Sequence, residues 1–87
     1  MESSQVEKVV SEMAEKSGKK YDWKYSVVDL MQLLGIDNSM VNRRALATEL
    51  GYTGDLNDSA TMNTYLHKAI MQKLAENDGK LPATLAD

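Results

Sequence analysis

Few side chains here are of types that perform chemistry. His67 is the single histidine, and near neutral pH an imidazole is the side chain best suited to moving protons. It stands beside Leu66 in an apolar helical pattern, with no serine nucleophile nearby in sequence, which favours a structural or surface role. Tyr52, Asp55 and Asp58 occupy a polar loop upstream, and an enzyme reading gathers these three around the loop together with His67. Trp23, flanked by Tyr21, Asp22, Lys24 and Tyr25, suggests a different use, because rings with a polar tip suit ligand and partner surfaces. The competing reading makes Trp23 a lid on the core where the first two helices meet. These residues define a candidate binding set of Trp23, Tyr25, Tyr52, Asp55 and His67, and no catalytic set.

Metal chemistry finds little support. Asp55, Asn57 and Ser59 place oxygens at alternate positions, as a calcium loop begins. The pattern then fails at Ala60, where the sharp turn needs glycine, and at Leu66, where a bidentate Glu is required. Helix capping by Asn57 or Asp58 explains the same residues with fewer assumptions. One histidine and no cysteine leave no transition-metal donor set, disulfide or thiol nucleophile. Neither glycine-rich phosphate-loop pattern is present. Glu12, Asp29 and Glu49 form no carboxylate pair that spacing brings together. The expectation is a non-enzymatic chain with no cofactor and no metal.

Arg43, Arg44, His67, Lys68 and Lys73, on the third and fourth helical stretches, raise a helix–turn–helix reading. The charge balance opposes it: the net charge is −3 and the isoelectric point near 5.0, with no basic stripe. The connector over 51–57 is longer than the usual turn of that motif, and Asp55 and Asp58 would face phosphates where repulsion is worst. Nucleic acid is therefore not the expected partner. No segment approaches the roughly 20 apolar residues that span a bilayer. The opening Met-Glu-Ser-Ser-Gln lacks the basic and apolar regions of a signal peptide, so the chain as written is expected to remain in the cytoplasm.

At 87 residues the chain is long enough for one domain with one core. Its 43% hydrophobic and 26% charged content suits a packed globule, with six Met and no Phe. Periodicity predicts an all-α fold: a compact bundle of about four helices with a short C-terminal helical turn. Ser4 with Glu7 forms a capping-box pattern for the first helix, whose apolar face is Val6, Val9, Val10, Met13 and Ala14. Gly18 stops it. Tyr21 to Tyr25 is an ordered connector, and Ser26 with Asp29 opens a second, shorter helix ended by Gly35. The apolar density of Val28, Leu30, Met31, Leu33 and Leu34 predicts that this second helix is central. A third runs from about Met40 to Leu50, after cap candidates in 36–39. The fourth starts at Asn57 or Asp58 and buries Met62, Tyr65, Leu66, Ala69, Ile70 and Leu74. Asn77-Asp78-Gly79 ends it, and Leu81 and Leu85, with Pro82 opening a last turn, are expected to fold back. Gly51 and Gly54 supply backbone freedom in the central loop.

Several stretches carry a family resemblance: Ser26-Val-Val-Asp-Leu-Met-Gln-Leu-Leu34, Leu46-Ala-Thr-Glu-Leu-Gly-Tyr-Thr-Gly-Asp55, and Asn57-Asp-Ser-Ala-Thr-Met-Asn-Thr-Tyr-Leu-His-Lys68. Met71-Gln-Lys-Leu-Ala-Glu-Asn77 and Gly79-Lys-Leu-Pro-Ala83 continue it. From Trp23 onward the chain resembles a family of small bacterial domains of unknown function, which leaves residues 1–20 as an N-terminal helix outside the resemblance. Members occur alone or behind an Ala/Pro-rich linker, and some carry peptidoglycan-binding lysin-motif modules. This chain shows neither, and has Asp78 where glycine is common and Tyr65 where tryptophan is expected. A weaker similarity ties Leu50-Gly-Tyr-Thr-Gly to helical peptidoglycan-binding domains. The resemblance implies a shared fold and transfers no catalytic residue. It points to a non-enzymatic binding or scaffolding module, envelope-associated in some relatives, with a protein or a peptidoglycan fragment as partner.

Overall fold

The longest helix organises the molecule. In the computed structural model, which describes residues 2–78, four helices follow in chain order: α1 (Ser3–Ser17), α2 (Val27–Leu33), α3 (Met40–Glu49) and α4 (Ser59–Glu76). No strand occurs among the described residues. α4 packs against each of the other three, α1 also meets α2, and α3 touches no helix but α4. The central place expected for α2 therefore belongs to α4. The reason is reach: seven residues of α2 span about 10 Å, whereas eighteen residues of α4 run about 27 Å. α2 is nonetheless well buried, with Leu30 and Met31 fully enclosed against α1 and α4.

Helix starts follow local chemistry, with one correction. α1 begins earlier than Ser4: Glu2 is the N-cap, its backbone N–H donates to the Gln5 side chain at 3.2 Å, and Ser4 lies inside the first turn. The expected Ser4–Glu7 box is thus replaced by a Glu2–Gln5 pair two residues earlier, which satisfies an amide the helix leaves free. Ser26 caps α2 by accepting from the Asp29 N–H, while the Asp29 carboxylate reaches back to the Asp22 N–H at 2.8 Å. That second bond makes the Tyr21–Tyr25 connector an ordered turn. Ser39 caps α3 through the Asn42 N–H. α1 ends at Gly18 in the left-handed region, and Gly35 and Gly51 take the same backbone after α2 and α3. The expected terminal turn around Leu81, Pro82 and Leu85 lies outside the described residues.

The core is wholly apolar: Val6, Val10, Trp23, Val27, Leu30, Met31, Ile36, Leu46, Ala47, Met62, Leu66, Ile70 and Leu74 form one buried cluster. Burying each large member contributes about 1.5–3 kcal/mol, against a backbone entropy cost of about 1–2 kcal/mol per ordered residue. No helix can offset that alone, and the four hold one another. Tyr65 departs from its expected burial. It is 36% exposed, tilts against Tyr52 with ring centroids 5.3 Å apart, and donates its hydroxyl to the Leu50 carbonyl at 2.8 Å. A tyrosine at the edge of the stripe keeps its hydroxyl bonded there, which full burial would make harder.

Candidate functional site

The central loop is a structural joint. Tyr52 donates its hydroxyl to the Asp55 carbonyl at 3.1 Å, and its ring lies over Gly54, where an added Cβ would come within 2.6 Å of a ring carbon. A side chain at position 54 would therefore have to displace the Tyr52 ring, whereas Gly51 is favoured by its left-handed φ of 98°. Asp55 accepts from the Asn57 N–H at 2.8 Å, so Asn57 does not cap α4. Asp58 does, accepting from the Thr61 N–H at 3.2 Å and the Thr61 hydroxyl at 2.7 Å. Those bonds, the hydroxyl's first, hold the Asp58 carboxyl below its ordinary pKa. Burial, followed by the charges of Asp58 and Asp55, pushes the Tyr52 phenol above its own.

A carboxyl depressed in the folded state stabilises the fold above its unfolded pKa, about 3.9 for Asp, and that contribution is lost as pH falls through the lower folded value. Asp58→Ala is therefore expected to lower Tm by several degrees at neutral pH. The gap between parent and variant should close in acid, once the parent carboxyl is protonated. Melting curves recorded by circular dichroism between pH 2 and 7 read this directly; equal Tm values at pH 7 would refute the cap.

His67 does not join the loop. Nine helical positions, about 13 Å of rise, separate it from Asp58, and its Nε2 meets the Trp23 carbonyl oxygen at 2.5 Å. A carbonyl only accepts, so Nε2 carries the proton in this contact. The bond ties α4 to the turn between α1 and α2. The four-residue enzyme constellation of Tyr52, Asp55, Asp58 and His67 is consequently not assembled.

Arg43 and Arg44, singled out for the DNA reading, are engaged within the fold. Arg43 Nε donates to the Asn38 carbonyl and its Nη1 to Asn63 Oδ1, each at 3.0 Å, while Arg44 Nε donates to the Leu56 carbonyl at 3.3 Å. They lock α3 to its own N-terminus, to α4 and to the loop. A reading helix presents its cations outward, and these two are turned to protein acceptors.

What the fold does bring together is Trp23 and His67. They line a cleft of about 300 Å³ between α1, the Trp23 turn and α4, with Val6, Glu7, Lys24, Lys68, Met71, Gln72 and Ala75 completing the wall. His67, Met71 and Ala75 form one i, i+4 column of α4, and Lys68 and Gln72 form a second beside it. Trp23 is only 7% exposed and belongs to the core, as the second sequence reading has it, and it also lines the wall of the cleft. The Lys24 ammonium stands 5.9 Å from the Trp23 ring centre, within range of a cation–π contact. A second hollow of about 520 Å³, lined by Ser11, Ala14, Glu15, Lys19, Lys20, Tyr21, Asp22 and Asp29, is more open. Tyr25 is 84% exposed and lines neither hollow; Tyr52 and Asp55 belong to the loop joint. No group of three His, Cys, Asp or Glu side chains able to hold a metal occurs among the described residues.

The sequence reading did not single out Glu7, Met71 or Gln72 as site residues. A signal for Met71 existed: it and Ala75 exceed the apolar residues that the single buried stripe of α4 requires. Glu7 carried none, since its place in the cleft depends on how α1 docks.

The fold is that of a small all-helical domain, with a cleft between α1, the Trp23 turn and α4. The chain belongs to the family described as "Domain of unknown function (DUF3597)", whose model matches residues 1–82. That match takes in α1, which the resemblance quoted above left out. Neither a curated protein nor a solved structure matches the chain. No helix among the described residues is long and apolar enough to cross a membrane.

Proposed function

We propose that this chain is a non-enzymatic binding module, and that its ligand or partner seats in the Trp23–His67 cleft. The observation carrying this reading is that one concave site unites the only tryptophan, the only histidine, an apolar lining from Val6, Met71 and Ala75, and two cations at its edge. A mostly apolar hollow with a few polar groups is the usual form of a recognition site. The loop, by contrast, uses its tyrosine and aspartates on internal hydrogen bonds. The lysin-motif modules of proteins it resembles favour the bacterial envelope as the setting, and a peptidoglycan fragment as the first ligand to try.

Two-dimensional amide NMR of the labelled chain, titrated with soluble peptidoglycan fragments and separately with short duplex DNA, tests this. Progressive shifts at Trp23, Lys24, His67, Lys68 and Met71 with the fragments alone are expected. Shifts confined to 52–58 would move the site to the loop, and silence with the fragments would remove the envelope setting. Salt-sensitive shifts with DNA would overturn the reading in favour of nucleic-acid binding.

A further inference from the structure

We infer that the cleft receives the C-terminal residue of a peptide, its apolar side chain against Trp23 and Met71 and its α-carboxylate at Lys24 and Lys68. This rests on the reading of the cleft as the binding site and adds the chemical class of what binds. Three observations carry it.

The first is size. About 300 Å³ lies at the lower end of ligand pockets, which run from about 300 to 1,000 Å³. That room suits one side chain and its terminus better than a folded surface or an extended segment.

The second is charge. The chain as a whole is net negative, yet Lys24 and Lys68 outnumber Glu7 at the cleft. Neither lysine has an ion-pair partner among the described residues, where the one ion pair joins Lys73 to Glu76. Two exposed ammonium groups beside an apolar wall complement an anion carried on an apolar body. Lys24 is further placed by the Trp23 ring beneath it.

The third is the remaining polar lining. Gln72 stands one turn beyond Lys68 on the same face of α4, and Glu7 faces the cleft from α1. An amide that both donates and accepts, with a carboxylate that accepts, fits the peptide bond preceding a terminal residue. A simple fatty or aromatic acid would leave both unused.

The test compares three probes by amide NMR at low salt: N-acetyl-Ala-Leu with a free carboxylate, its C-terminal carboxamide, and isocaproate, which has the leucine-like body and the carboxylate but no peptide. The free-carboxylate peptide is expected to shift Trp23, Lys24, His67 and Lys68. The carboxamide should bind about tenfold more weakly, as loss of a charge-assisted contact predicts, and salt should weaken only the carboxylate form. Lys24→Gln and Lys68→Gln, both at exposed positions, should each reduce affinity for the acid and leave Tm unchanged. Lys19→Gln at the other hollow should leave binding intact.

Equal binding of acid and carboxamide, or full affinity in both lysine variants, overturns the carboxylate assignment while the cleft reading survives. Isocaproate binding as tightly as the peptide assigns the site to small free acids and overturns the peptide assignment. Silence of all three probes where peptidoglycan fragments do shift the cleft ends this inference alone, and silence in both titrations ends both.

Discussion

Leu66→Ala is expected to destabilise the fold by about 2–5 kcal/mol. Leu66 is fully buried at the middle of α4, the helix that every other helix packs on. Truncation removes the transfer free energy of the lost atoms and leaves a cavity whose walls are anchored on several helices, so collapse around it is limited. The loss is a large share of the roughly 5–15 kcal/mol that holds a domain together. At about 4–8 °C per kcal/mol for a domain of this size, Tm should fall by about 8 °C or more. Urea unfolding followed by helical circular dichroism measures it, with a shifted midpoint and an unchanged slope as the two-state signature. A loss below about 1 kcal/mol would mean that Leu66 is not at the packing centre.

Trp23→Ala should cost a comparable amount, about 3–5 kcal/mol, and should also abolish ligand shifts at the cleft. Trp23 is the hinge between two roles: its ring fills the space between the connector and the core, and its outer edge walls the cleft. The backbone bond from its carbonyl to His67 survives the substitution in kind, because any residue supplies a carbonyl. The loss is therefore one of packing, and Trp23→Phe should recover most of the stability while retaining an aromatic wall. Chemical denaturation of both variants, beside the parent, separates the two contributions. An alanine variant with parental stability would place the ring outside the core, and a phenylalanine variant as unstable as alanine would refute the packing account.

Much of the helical architecture was legible from neighbouring residues. The caps at Ser26 and Asp58, the stops at Gly18, Gly35 and Gly51, and the buried run Met62, Leu66, Ala69, Ile70 and Leu74 are all read over a few positions. Each depends on a side chain meeting its own backbone or on a 3.6-residue period. Ser4 misled because two overlapping cap patterns sit at the start of α1, and the Glu2–Gln5 pair forms two residues sooner. Asn57 misled because it neighbours the true cap, and its own N–H goes to Asp55. The candidate site was half legible. Trp23 and His67 were singled out separately, each for its chemical type. Tyr52 and Asp55 were singled out with them, and their side chains turned out to serve the loop. Composition marks a side chain as capable, and only its neighbours decide how it is used.

By itself the sequence determined an all-helical domain, the approximate bounds of its helices, the apolar faces they bury and the absence of thiol chemistry. These follow from local spacing and composition, which the chain carries wherever it goes. Tertiary structure alone decided that α4 is the hub, that Arg43 and Arg44 are clasps, and that Trp23 and His67 share one cleft. The physical reason is separation along the chain: Arg43 meets Asn63 across 20 residues, and His67 meets Trp23 across 44. Contacts of that range depend on how whole helices dock, and docking is set by the summed burial of many apolar faces, which no short stretch of sequence encodes.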